Sequence, residues 1–198
     1  MKIYGDLSSG NCLKVKYTAD FLRLPYEWVP IDVTKGESRT PDFLSMNPAG
    51  QVPVIELEGG RALSQSNAIL QFLAEGTPLL PTESFDRAKV SEILFWEQYS
   101  HEPYIAVCRY QMFYLKKSKD EREQWRVEKG ETALDLMDKM LDGNDWLAAD
   151  QFTIADIALI AYTRLAHEGG FDLSTRPNVR KWVRRCEEKL GLNSEGIT

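Results

Sequence analysis

Three short segments carry residue types whose spacing suits chemistry on an anionic or peptide-like ligand. In Ser8-Ser9-Gly10-Asn11-Cys12, two hydroxyls stand at the start of a helical pattern. Unsatisfied N–H groups and the positive end of the helix dipole favour an anion there. A thiolate is such an anion, and a serine hydroxyl donating to its sulfur stabilises it by about 1.4 kcal/mol per unit of lowered pKa. The same serines are also ordinary helix caps. In Gly50-Gln51-Val52-Pro53-Val54, a proline interrupts a strand-like run. Lacking an N–H, it needs an edge, a bulge or a cis bond. A cis Val52–Pro53 bond would turn the Val52 N–H and C=O outward, towards an extended peptide; taken alone, the segment reads as an edge proline. In Leu63-Ser64-Gln65-Ser66-Asn67, a hydroxyl and N–H groups at a helix start suit a carboxylate, and the Gln65 amide suits the polar end of an amino acid. A plain polar cap has the same composition. A fourth segment, Thr153-Ile154-Ala155-Asp156, has capping-box spacing ahead of an apolar run and is structural.

The elements that must position these segments follow from periodicity. Lys2 to Gly5 reads as a strand, and Cys12, Val15, Ala19 and Leu22 give the next helix one apolar face, ended by Pro25. Glu27 to Val33 is a second strand, with Val29, Ile31 and Val33 on one side. Thr40-Pro41 caps a short helix through Met46. Val52 to Leu57 and the return from Ala62 form a hairpin about Gly59-Gly60, and a helix opens at Gln65-Ser66 and ends at Gly76. The order β-α-β-α-β-β-α implies a mixed four-stranded sheet. Thr77-Pro78-Leu79-Leu80-Pro81 is a semi-rigid link. Beyond it the pattern is helical throughout, over Phe85 to Leu115, Asp120 to Leu141, Thr153 to His167 and Pro177 to Leu190. The last has Val179, Trp182, Val183, Cys186 and Leu190 on one face.

Composition narrows the chemistry. The 198 residues are 43% hydrophobic and carry a net charge of −6, which suits a folded chain and argues against a nucleic-acid partner. No apolar run approaches a membrane span. A strand starting at Lys2 leaves no room for a signal peptide, so a cytoplasmic location is expected. Cys12, Cys108 and Cys186 are odd in number and widely spaced, which fits a reducing compartment rather than a disulfide framework. His101 and His167 have no metal-ligand spacing, so no metal is expected. Neither a Ser/His/Asp signature nor a phosphate-cradling glycine loop is present.

Taken together, a serine after the first strand, the run Asn47-Pro48-Ala49-Gly50-Gln51-Val52-Pro53, and Gln65-Ser66 opening a helix resemble the thioredoxin-like domain of cytosolic glutathione transferases. The Pro-rich link, the helical second half and the Thr153/Asp156 capping box match too, so the resemblance covers essentially the whole chain. It is to bacterial, serine-type members of theta, beta or nu character. The resemblance implies a thioredoxin-like glutathione-binding domain over 1–78, a linker over 79–85 and an all-helical substrate-side domain over 86–198. It implies that Ser9 activates the glutathione thiol, with Ser8 its rival, and that Val52, before a cis-Pro53, pairs with the cysteinyl backbone. Gln65 and Ser66 would hold the γ-glutamyl end. Lys35, or else Arg39 or Gln51, would meet the glycyl carboxylate, and Tyr104, Cys108 and Met112 would face the second substrate. Glutathione is then a cosubstrate with no covalently bound cofactor, the electrophile or peroxide is small, and the molecule is a homodimeric detoxifying enzyme. Two departures stand out. Asn67 replaces the acidic residue many members carry beside this pair, and Ser8-Ser9-Gly10 breaks the Ser-Ser-Cys start of isomerase-type members. Glutathione-dependent reduction of disulfides or peroxides, and a non-catalytic binding protein of the same fold, are the competing readings.

Overall fold

In the computed structural model, which describes residues 1–192, the opening alternation becomes β1 (Lys2–Gly5), α1 (Gly10–Phe21), β2 (Glu27–Pro30), α2 (Pro41–Met46), β3 (Val54–Glu56), β4 (Ala62–Ser64) and α3 (Ser66–Ala74). These elements belong to a first unit, Met1–Thr77. The strand order is β2-β1-β3-β4, with β1 parallel to β2 and β3 antiparallel to both neighbours, so the sheet is mixed as expected. Ile3, opposite Trp28 and Ile55, is fully buried with Ile55. Cys12, Val15 and Ala19 form the buried face of α1, and Leu22 falls just past its end, half-buried. Helices α1 and α3 pack against each other.

Two strands are shorter than their hydrophobic pattern suggests. The second stops at Pro30 instead of Val33. The Asp32 carboxylate accepts the N–H groups of Thr34 (2.9 Å) and Lys35 (3.2 Å), capping a 3₁₀ turn over Val33–Lys35 that leads the chain off the sheet. The third begins at Val54 rather than Val52, because Pro53 has no ladder donor. Helix α2 is capped as expected, the Thr40 hydroxyl accepting from the Phe43 N–H.

The second unit begins at Pro78. Leu79, Leu80 and Pro81 form no element but are buried, and the Leu79 carbonyl accepts the Ile154 N–H at 3.0 Å. Its helices are α4 (Ser84–Trp96), α5 (Glu102–Arg109), α6 (Gln124–Met140), α7 (Ile154–Thr163) and α8 (Pro177–Leu190). The helix expected over 85–115 is interrupted by π-helical turns at Glu97–His101 and Tyr110–Tyr114. Pro103, which has no N–H to donate into the first of these turns, accounts for that widening. Helix α6 starts later than expected, because Ser118 and Glu121 close a separate capped turn before it.

Every residue of α7 is buried. At its start the Ala155 N–H donates to the Thr153 hydroxyl (3.2 Å) and the Thr153 N–H to Asp156 Oδ2 (3.0 Å), the capping box read from sequence. Asp156 does more than cap. Its Oδ1 accepts the Leu147 N–H (3.1 Å) and the Trp182 indole N–H (2.9 Å), tying the preceding loop and α8 to α7. Burial pushes this carboxyl up to about 6 in spite of those bonds. On α8, Val179, Trp182, Val183 and Cys186 are buried as the pattern requires. Leu190 is only half-buried, and Glu187 is buried in ion pair with Arg164 at 3.0 Å. Among the described residues, no helix is long and apolar enough to cross a membrane, and no group of His, Cys, Asp or Glu side chains is placed to hold a metal ion.

Candidate active site

Ser9 is the N-cap of α1, with extended φ −85° and ψ 120°, and its carbonyl accepts the Leu13 N–H at 2.9 Å. Its side chain makes no capping bond. Nearby, the Cys12 sulfur accepts the Asp6 N–H at 3.4 Å. Ser8 differs: both its N–H and its hydroxyl are directed at Asp6 Oδ1. The Cys12 thiol is fully buried, and burial pushes it up to about 11. At this end of α1, then, Ser9 is a half-buried hydroxyl that makes no capping bond, the Ser8 hydroxyl is taken by Asp6, and Cys12 stays protonated.

The segment before β3 is held by a buried asparagine. Asn47 Nδ2 donates to the Gln51 carbonyl (2.7 Å), and its Oδ1 accepts the Ala49 N–H (3.2 Å). Gly50 sits at φ +61°, a conformation that favours glycine, and a Cβ there would meet the Arg39 guanidinium at 2.5 Å and push that side chain aside. Arg39 closes the turn by donating to the Ala49 carbonyl at 3.0 Å. The Val52–Pro53 peptide is cis. Pro53 is buried, Val52 is half-buried and Gln51 is exposed. Among the described residues, nothing in the chain hydrogen-bonds the Val52 N–H or C=O.

The third segment lies at the start of α3. Gln65, exposed, is a non-glycine residue at φ +71° and ψ 109°. Such backbone costs about 1–3 kcal/mol and persists only where surrounding structure imposes it. Its carbonyl accepts the Ile69 N–H at 3.0 Å, so the strained residue is locked to the helix it precedes. Ser66 follows as the first helical residue, buried, its hydroxyl donating to Asn11 Oδ1 at 3.2 Å. The fold therefore joins the Ser9 and Ser66 segments through Asn11. Lys35 stands apart on an exposed turn, paired with Asp32 at 3.0 Å, which raises its pKa.

In the second unit, Tyr104 is half-buried and edge-on to Trp125 at 6.1 Å. Met112 is half-buried against Gly170, where an added Cβ would meet its sulfur at 3.0 Å. Cys108 is fully buried in a cluster with Ile105, Leu134, Tyr162, Ala166 and Phe171. Sequence reading also passed over Asp6, Asn11 and Asn47, the residues that tie down Ser8, Ser66 and the loop before Val52. The signal for Asn47 was present, as a polar residue ahead of Pro48-Ala49-Gly50. Asn11 gave none, since its partner is 55 residues away.

Known proteins resemble this chain in sequence and in fold. Residues 8–75 match the family model of the glutathione S-transferase N-terminal domain, and residues 93–189 match that of the C-terminal domain. Glutathione S-transferase 3 of Zea mays is 31% identical over 194 residues, spanning 92% of this chain and 86% of its own. A glutathione S-transferase structure from Pseudomonas fluorescens superposes with a TM-score of 0.91 at 47% identity, covering 94% of each chain. One from Xanthobacter autotrophicus gives 0.91 at 44% identity, covering 97% of this chain and 95% of that one.

Proposed function

The chain belongs to the glutathione S-transferase family, with glutathione as its cosubstrate, and from that premise we propose a serine-type enzyme in which Ser9 stabilises the glutathione thiolate for attack on a small electrophile. One observation carries this reading. The Ser9 hydroxyl, at the N-cap of α1, makes no capping bond, while the Ser8 hydroxyl is engaged by Asp6. Residues 1–78 form the glutathione side. Val52 offers its N–H and C=O to the cysteinyl backbone beside Pro53, and Gln65 and Ser66 take the γ-glutamyl end. Lys35 or Gln51, with Arg39 beside Gly50, meets the glycyl carboxylate. Residues 86–198, joined through 79–85, supply the electrophile's contacts, for which Tyr104 and Met112 are the candidates. Most of the rate enhancement comes from thiol activation and positioning, since no histidine belongs to the proposed site.

The test is the ultraviolet absorbance of enzyme-bound glutathione thiolate across a pH titration. The expected thiolate signal appears well below the ordinary thiol pKa of about 8.5. Titration at the ordinary value, or no binding at millimolar glutathione, rejects the reading.

The proposed enzyme is a cytoplasmic homodimer. Phe85, Phe95 and Tyr99 lie along one side of α4 and its continuation, 69%, 75% and 82% exposed. Large aromatics left this exposed on one helix and its continuation suit a protein interface. Sedimentation at micromolar concentration should give twice the 22.6 kDa chain mass, and a monomer there removes the assignment.

A further inference from the structure

Helix α6 ends at Met140, and the chain then turns through Leu141, Asp142 and Gly143. Asp142-Gly143 is the only place in the 198 residues where glycine follows an aspartate or an asparagine. Glycine has no Cβ to shield its amide nitrogen, and Gly143, at φ +74°, stands in open space: an added Cβ would meet no atom within 4 Å. Asp142, Gly143 and Asn144 are all exposed. The turn's own bonds use the amides on either side. The Asp142 N–H donates to the Lys139 carbonyl (3.2 Å) and the Asn144 N–H to the Leu141 carbonyl (3.3 Å). Among the described residues, the Gly143 N–H has no acceptor in the chain. The neighbouring carboxylates are engaged. Asp138 Oδ1 accepts the N–H groups of Asn178 (2.8 Å) and Val179 (2.9 Å), and Asp145 pairs with Arg185 at 2.7 Å. Among the described residues, the Asp142 carboxylate has no such partner, so nothing holds it away from the amide that follows.

We infer that Asp142-Gly143 is a site of spontaneous backbone rearrangement to isoaspartate. The Gly143 nitrogen attacks Cγ of the protonated Asp142 carboxyl. The N–Cγ bond forms, the Cγ–O bond to the hydroxyl breaks, and that hydroxyl leaves as water with the amide proton. The resulting five-membered succinimide takes up a water. Opening at Cγ restores aspartate. Opening at the main-chain carbonyl routes the chain through the side chain, adds one methylene to the backbone and leaves a free α-carboxylate. The overall change is an isomerisation, with one water lost and one regained. The new carboxylate is the group that an isoaspartyl-directed methyltransferase esterifies, so the aged chain is a substrate for that class of repair enzyme.

The test is to incubate the full chain for weeks and measure methyl transfer from labelled S-adenosylmethionine by a purified isoaspartyl methyltransferase, followed by peptide mapping. The label should rise with incubation time in the peptide holding residues 142 and 143, which also separates into two species of equal mass. Asp142→Glu, an exposed substitution that leaves the fold intact, removes the label from that peptide. Accumulation should be faster near pH 5 than near pH 8, because the attacked carboxyl must carry a proton and carboxyls lose theirs at about pH 4. No label in that peptide above the Asp142→Glu background, label confined to other peptides, or equal rates at the two pH values overturns the inference.

Discussion

Replacing Ser9 with alanine lowers kcat/KM for conjugation of glutathione to an aryl halide about 100-fold, the usual cost of deleting one preorganised donor to a developing or stabilised anion. The loss falls mainly on activation. Affinity for glutathione should change by less than about tenfold, because the ligand's carboxylates and backbone are held elsewhere. The bound thiol in Ser9→Ala titrates closer to the ordinary value of about 8.5, and its reactivity recovers as pH is raised. Ser8→Ala is the matched control. It removes one hydroxyl bond to Asp6 and leaves the sulfur donor in place, so its activity stays near that of the wild type. A full 100-fold loss in Ser8→Ala, with Ser9→Ala unaffected, would transfer the role to Ser8.

The largest stability effect is expected at Asp156. Asp156→Ala strands the N–H groups of Leu147, Thr153 and Trp182 in the interior. With each buried orphan donor costing about 1–3 kcal/mol and partial relaxation of the site, we expect a loss of about 3–5 kcal/mol in denaturant unfolding. A loss under about 1 kcal/mol would show that the three donors find other partners. The wild type carries a second signature. The Asp156 carboxyl titrates at about 6 in the folded chain against the ordinary 3.8, so the folded state holds its proton over a range where the unfolded state has lost it. The stabilisation from that proton is complete below about pH 4 and is lost as pH rises through about 6, roughly 3 kcal/mol in all. Asp156→Asn abolishes this slope between pH 4 and 6 and retains one accepting oxygen, which places its stability at neutral pH between wild type and Asp156→Ala.

Much of this was legible before the fold was known, for identifiable reasons. Short-range patterns carried the Thr40 and Thr153 caps, the Gly59-Gly60 hairpin and the buried stripe of α1, because each is closed within a few residues. The overlong second strand failed for the complementary reason. Val29, Ile31 and Val33 keep a period of two, but the strand is ended by a side chain, Asp32, bonding forward to Thr34 and Lys35. Hydrophobic alternation does not register such a bond. Cys108 shares a helical spacing with Tyr104 and Met112, yet its burial is decided by Leu134, Tyr162 and Phe171 from distant elements. The Asn11–Ser66 bond spans 55 residues and leaves no trace in either local segment.

The burial of all three cysteines has a chemical consequence for an enzyme that handles electrophiles. Desolvation raises Cys12 to about 11, Cys108 above its usual value and Cys186 well above it. At neutral pH only about one Cys12 in ten thousand is ionised, and burial shifts Cys186 in the same direction. An alkylating substrate reacts with thiolate, so the reactive sulfur it meets is the one carried by glutathione, which leaves with the product. The protein's own thiols are shielded by the packing that builds its core, which disfavours adducts on its cysteines.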